Sequence, residues 1–180
     1  LVASPGLPLA REASRPTVKG GADAVTLGRT GVTTSFLAFG TGMNGGSRSS
    51  DLTRLGQETF TRILRHGLDE GVRFLDLADL YGTHPFAREA LKGVPRDRYT
   101  LLTKIWPNKE DWVTPSGGAK EEVDRFRREL GTDTLDVCLI HCMLNERWPE
   151  ELARVRDELS KLKDEGAVRA VGVSCHDHGA

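Results

Sequence analysis

Four polar residues stand where neighbouring sequence is apolar. Asp76 lies inside Phe74-Leu75-Asp76-Leu77-Ala78, a run that otherwise reads as a buried strand, and Tyr81 follows it. Lys104 closes Leu101-Leu102-Thr103-Lys104, and His141 closes Leu135-Asp136-Val137-Cys138-Leu139-Ile140-His141. A buried charge is costly unless paired, so Lys104 is the natural counter-ion for Asp76. A phenol ordinarily titrates near pH ~10; a neighbouring ammonium favours the phenolate and eases proton release. Asp76 would hold Lys104 in place and keep it charged, while His141 would orient a substrate oxygen. Tyr81 then becomes a general acid for an oxygen that gains negative charge. Carbonyl reduction needs that set, because hydride reaches carbon while a proton reaches oxygen. No side chain donates hydride, so a cofactor must supply it. An Asp–Lys pair alone would be read as structural; Tyr81 and His141 at the same rim favour chemistry.

These residues converge only if the elements that carry them are arranged to do so. Thr26-Leu27 and Val32-Thr33 flank Gly28-Arg29-Thr30-Gly31 and predict a small hairpin. Phe36-Leu37-Ala38-Phe39 predicts a first strand, followed by a polar loop and a helix with Phe60, Ile63, Leu64 and Leu68 on one face, ended by Gly71. Strands over 72–78, 99–105, 135–141 and 168–174 alternate with helices over "HPFAREALKG", "AKEEVDRFRREL" and the segment of Leu152, Val155, Leu159 and Leu162. The steps are roughly 30 residues long, as in βαβ units, which implies a parallel sheet covered by helices. An open doubly wound sheet and part of an eight-fold barrel both fit. Gly40-Thr41-Gly42-Met43-Asn44-Gly45 matches G-x-G-x-x-G, but about ten more polar residues separate its third glycine from the helix, and Asp76 lies much further on than the roughly 20 positions at which a dinucleotide fingerprint has its acidic residue. Alternation along the strands favours the barrel: Phe74 and Asp76, Leu102 and Lys104, Val137, Leu139 and His141, and Ala170, Gly172 and Ser174 each share a face that turns polar at its C-terminal end.

D-x-A-x-x-Y-G from Asp76 to Gly82, "LLTK" ending at Lys104, "LDVCLIH" ending at His141 and "VRAVGVS" ending at Ser174 together resemble the aldo-keto reductase family. "LGRTGVTTSFLAFGTG" over 27–42 is similar to that family's opening hairpin and first barrel strand. The resemblance implies an α/β fold: a partial (β/α)8 TIM barrel over residues 25–180, with an N-terminal β-hairpin and truncated after the fifth strand. It implies hydride transfer between NAD(P)H, NADP in preference to NAD, and an aldehyde or ketone. Its catalytic tetrad maps onto Asp76, Tyr81, Lys104 and His141, with Tyr81 as proton donor. Gly40, Thr41, Asp76, Ser174 and Cys175 would contact the cofactor; Cys175 stands where the family often has Asn, a thiol in place of a carboxamide contact. Met43, Trp106 and Trp148 would line the substrate pocket. A fragment lacking the later strands is expected to be inactive by itself. The family fold also serves as a cofactor-sensing regulatory subunit with little turnover, and that reading is the alternative.

Composition bounds the rest. A formal net charge of −1 gives no electrostatic reason to expect nucleic acid or an anionic membrane surface. No apolar run approaches the roughly 18 residues of a membrane span. Cys138, Cys142 and Cys175 are an odd count without framework spacing, which implies reduced thiols and a cytoplasmic protein. With His141, His176 and His178 they invite a zinc reading, but Cys138 and Cys142 share a strand parity that faces the helix layer, away from His141; no metal is expected. Residues 1–24, rich in Ala, Pro, Ser and Gly, read as a disordered leader, or as the remnant of an export signal. Oligomeric state leaves no trace in the sequence.

Overall fold

The computed structural model describes residues 17–107 and 118–177. Its helices form where apolar residues recur at helical spacing. In α2 (Gln57–Asp69) Phe60, Leu64 and Leu68 are buried, and Gly71, in the left-handed region at φ 83°, turns the chain away. In α4 (Ala119–Leu130) Val123, Phe126 and Leu130 are buried, and Gly131 at φ 68° closes the helix. Its bounds coincide with the predicted "AKEEVDRFRREL". α3 (His84–Ala90) opens with a proline in its first turn. The predicted polar loop before α2 contains a one-turn helix, α1 (Asp51–Arg54), because Ser50 and Thr53 cap each other's backbone. The helix expected around Leu152 divides into α5 (Trp148–Glu151) and α6 (Ala153–Asp164).

β1 (Ala24–Thr26) and β2 (Thr33–Ser35) form the predicted hairpin. β3 (Ala38–Gly40), β4 (Phe74–Asp76), β5 (Thr100–Ile105), β6 (Leu135–Met143) and β7 (Val168–Cys175) lie side by side in that order, all parallel. The sheet is five consecutive strands of a (β/α)8 barrel. One face carries the main core, where α2, α3, α4 and α6 cover Leu75, Leu101, Cys138 and Ile140. The other is the barrel lining; near its base Val32 meets Val137 and Ala170, with Leu102 and Leu139 packed against them.

Residues 1–16 of the expected leader lie outside the described residues, as do His178 and 108–117. From Gly20 onward the structure departs from that expectation. The Leu37 amide donates to Gly21 O and the Phe36 amide to Asp23 O, both at 2.8 Å, and Asp23 accepts from the amides of Lys19 and Gly20. These contacts extend the hairpin backwards through a segment whose composition alone reads as linker.

The N-terminal end of the sheet is held by one carboxylate. Asp136, 3% exposed, accepts from the Leu101 amide at 2.8 Å, Arg96 at 2.5 Å and Arg169 at 2.8 Å. Arg96 and Arg169 are 38% and 50% exposed and can hydrate, so removing the carboxylate strands chiefly the buried Leu101 amide. Asp136→Ala is therefore expected to destabilise the fold by about 2 kcal/mol, and Asp136→Asn by about half as much. The urea midpoint measures it; an unchanged midpoint for the alanine variant would remove Asp136 from this role.

Candidate active site

At the C-terminal end of the sheet the tilt of the strands brings residues from different registers to one mouth. Asp76 ends β4 opposite Leu102, Lys104 lies opposite Leu139, and His141 follows further along β6. Lys104, 6% exposed, pairs with Asp76 Oδ1 and donates to Leu77 O at 3.0 Å. Its Nζ stands 4.9 Å from the centroid of the Tyr81 ring. The Tyr81 hydroxyl lies 3.3 Å from His141 Nε2, with the two rings edge to face. The four groups therefore share one small volume. Tyr81 ends a 3-10 turn over Asp79–Tyr81, and its ring is seated on glycine: a Cβ at Gly42 would lie 2.4 Å from it, and one at Gly45 2.5 Å. The G-x-G-x-x-G run thus makes room for the Tyr81 ring.

Burial sets the electrostatics. It pushes His141 down to about 4, helped by the charge of Lys104, so the imidazole is neutral at pH 7. Lys104 is lowered by burial, against the opposing pull of Asp76. Tyr81 is raised, first by burial and then by the Asp76 carboxylate and the Cys142 thiol. That reverses the expected sign. Desolvation of the half-buried phenol prevails, and the Asp76 carboxylate adds to it by disfavouring a second negative charge nearby.

His141 makes acid stability a test of the site. Its pKa is about 4 in the fold, against an ordinary value near 6.5. The unfolded chain therefore binds the extra proton first, and stability falls as pH drops through that window. The loss amounts to about 3 kcal/mol. Urea midpoints followed from pH 7 to 4 should show a shallower decline in His141→Gln; parallel declines would mean that His141 is hydrated in the fold.

The cofactor and pocket candidates divide. A Cβ at Gly40 would meet nothing within 4 Å, so its backbone faces open space beside Asp76. Ser174 Oγ accepts from the Cys142 amide at 2.9 Å, which leaves its proton to donate. Trp106 stands edge-on to His141 at 5.5 Å, and its Nε1 and His141 Nδ1 are buried without a partner among the described residues. Met43 is 71% exposed and Cys175 is exposed. Open space, one hydroxyl donor and orphaned ring nitrogens suit a flat amide-bearing ring and a small carbonyl compound.

Three assignments are corrected. Thr41 is 1% exposed and donates its hydroxyl to Asp76 O at 2.8 Å, so it supports the Asp76 strand and does not offer that group to a cofactor. Trp148 is half-buried and packs against the helix-side core, not the barrel-lining cluster. Cys142 does not follow strand parity. β6 carries one extra residue between Ile140 and Met143, Cys142 adopts φ 66°, and Met143 takes the place on the helix-side core that parity would give Cys142. Cys138 is fully buried on the helix side, as expected. Among the described residues, the acidic and imidazole atoms within 4.8 Å of one another belong to Asp79, His84 and Glu129, and Arg48 and Arg125 already pair with that group.

Sequence reasoning missed that ionic group. Its signal was present as Glu122, Arg125 and Glu129 at helical spacing on one face of α4.

A parallel sheet backed by helices, with Asp, Tyr, Lys and His at one end, defines a class of barrel oxidoreductases. The Aldo/keto reductase family model matches residues 36–180, and the chain belongs to that family. Aldo-keto reductase YhdN of Bacillus subtilis is 28% identical over 156 residues, covering 81% of this chain and 44% of its own length. Aldo-keto reductase AKR11C1 of Bacillus halodurans, solved in its holo form, superposes with TM-score 0.66 at 28% identity over 85% of this chain and 50% of that one. A Klebsiella pneumoniae aldo-keto reductase solved with NADPH gives 0.59 at 26% identity, over 81% and 47%. The chain thus spans about half the length of these relatives. Among the described residues no helix is long and apolar enough to cross a membrane.

Proposed function

We propose that the full-length protein reduces an aldehyde or ketone with NADPH, or runs the reverse oxidation, with Tyr81 as the general acid. The observation that carries this is the Tyr81 hydroxyl 3.3 Å from a neutral His141 and its ring 4.9 Å from the Lys104 ammonium. When bound, the nicotinamide supplies hydride to the carbonyl carbon. Every other step belongs to the chain. Burial keeps Tyr81 protonated through neutral pH, so the acid is loaded before substrate arrives. His141, with its proton on Nε2, donates to the substrate oxygen or the phenol and orients both. As the carbonyl oxygen gains charge, Tyr81 gives up its proton, and the negative charge left on the phenol lies beside Lys104. The ammonium therefore stabilises the transition state more than the resting state. Asp76 keeps Lys104 charged and fixed, and Thr41 holds the Asp76 backbone.

Ser174 and the open face at Gly40 are the nicotinamide contacts this reading favours; Trp106 and Met43 line the substrate side. NADPH is preferred over NADH by analogy with the Klebsiella relative. Reduced thiols accord with a cytoplasmic protein. The test is a panel of aldehydes and ketones with NADPH and with NADH, followed by loss of nicotinamide absorbance. Turnover supports the reading; cofactor binding with no oxidation across the panel would favour the sensor.

A further inference from the structure

Behind Tyr81, on the helix side of the sheet, an ionic network joins the segments that build the site. Asp79 opens the 3-10 turn that ends in Tyr81 and is 2% exposed. Arg125 of α4 grips it with both terminal nitrogens, at 2.9 and 2.6 Å, and also pairs with Glu122 and, at 2.9 Å, with Glu129. Glu129 Oε2 lies 2.8 Å from His84 Nδ1, and His84 Nε2 lies 2.7 Å from Thr103 Oγ1. Thr103 is the residue before Lys104 on β5, and points to the opposite face. Arg48 pairs with Asp79 at 3.2 Å and Glu129 at 2.9 Å, while its amide donates to Leu80 O at 3.0 Å. Arg48 thereby ties in the loop whose glycines seat the Tyr81 ring. A Cβ at Gly82 would lie 2.0 Å from Arg48 O, so the two segments are packed backbone to backbone.

We propose that Arg125 is a positioning residue: through Asp79 it fixes the turn that carries Tyr81, and through Glu129, His84 and Thr103 it fixes that turn against the strand that carries Lys104. The proposal rests on the function given above. Among the described residues the Tyr81 hydroxyl has one long polar contact, to His141, and a 3-10 turn has poorer hydrogen-bond geometry than an α-helix. A planar guanidinium that grips a carboxylate at two points specifies orientation as well as distance, which an ammonium does not. Two guanidiniums on the carboxylates also argue against reading Asp79, His84 and Glu129 as a cation site.

The test compares Arg125→Lys and Arg125→Met with the parent full-length protein. Tyrosine labelled with 13C at the ζ carbon reports Tyr81 directly, and Tyr99, stacked under Arg96 at the other end of the sheet, is the internal control. Arg125→Lys should move and broaden the Tyr81 resonance and shift its titration, leave Tyr99 unchanged, and lower kcat roughly 10- to 100-fold with little change in KM. If Arg125→Met does not fold, the lysine variant decides; if neither folds, Arg48→Met is read by the same criteria. Asp136→Asn, destabilised at the opposite end, should leave Tyr81 unmoved. An unmoved Tyr81 in the folded Arg125 variants overturns the proposal, and so does an equal movement in Asp136→Asn. A displaced Tyr81 in a protein whose parent never turns over any carbonyl would sink the reductase reading and leave the positioning role standing.

Discussion

Tyr81→Phe in the full-length protein is expected to lower kcat for carbonyl reduction by about 10²- to 10⁴-fold, the usual worth of a positioned general acid, while leaving affinity for NADPH unchanged. The separation follows from how the side chain is held. The ring is seated against Gly42 and Gly45 and beside the Lys104 ammonium, and phenylalanine keeps every one of those contacts. The hydroxyl contributes one 3.3 Å contact to His141 and carries a desolvation penalty. Its removal should therefore change stability by no more than about 1 kcal/mol. Single-turnover rates and equilibrium binding of NADPH, measured on the same preparation, separate the two effects. Reduction that survives the substitution takes Tyr81 out of the mechanism. Weakened NADPH binding would instead make the hydroxyl part of the cofactor site.

The pH dependence follows from the same geometry. A tyrosine raised by burial stays protonated across neutral pH, and a histidine held at about 4 stays neutral. Between these limits the ionisation state of the pair does not change. Loss of reductive turnover on the acid side should thus follow His141, well below the ordinary histidine range. A profile that breaks near 6.5 would show that bound ligand rehydrates the imidazole.

The barrel strands and helices were legible because burial repeats with a period that only one element type satisfies. α4 is the clearest instance: Val123, Phe126 and Leu130 recur on one helical face, and the glycine that ends it is the next residue. Asp76, Lys104 and His141 were legible for the converse reason, as polar groups that interrupt an apolar alternation. What failed depended on tertiary contact. Cys142 obeys strand parity until the extra residue at the end of β6 turns it, and nothing local announces that bulge. Residues 20–23 have a linker's composition, yet the amides of Phe36 and Leu37, just past β2, donate to their carbonyls. The sign of the Tyr81 shift required knowing how far the phenol is desolvated and that the Asp76 carboxylate lies near it. Pair distances carry that information, and one-dimensional patterns do not.

Asp76 and Lys104 should respond unequally to substitution, although each change is expected to reduce turnover at least about 100-fold by removing charge from the developing phenolate or misplacing it. Lys104 is 6% exposed, whereas the Asp76 side chain is 38% exposed. Asp76→Asn leaves a buried ammonium with, among the described residues, one full-strength partner, Leu77 O at 3.0 Å. Burial already lowers Lys104, and without the carboxylate that oppose this drop, the amine moves further toward its neutral form. The expected loss is about 2–4 kcal/mol, at the lower end for a broken buried pair because Asp76 keeps some water in the parent protein. Lys104→Met replaces the ammonium with a side chain of similar length and removes the desolvation cost, while the remaining carboxylate can hydrate. Its stability should stay within about 1 kcal/mol of the parent, the orphaned Leu77 carbonyl offsetting the gain. Urea midpoints measured beside kcat read this directly: two inactive variants, one markedly destabilised and one not. Equal destabilisation would mean that Asp76 is as desolvated as its partner, and that the mouth at β4 is closed over it in solution.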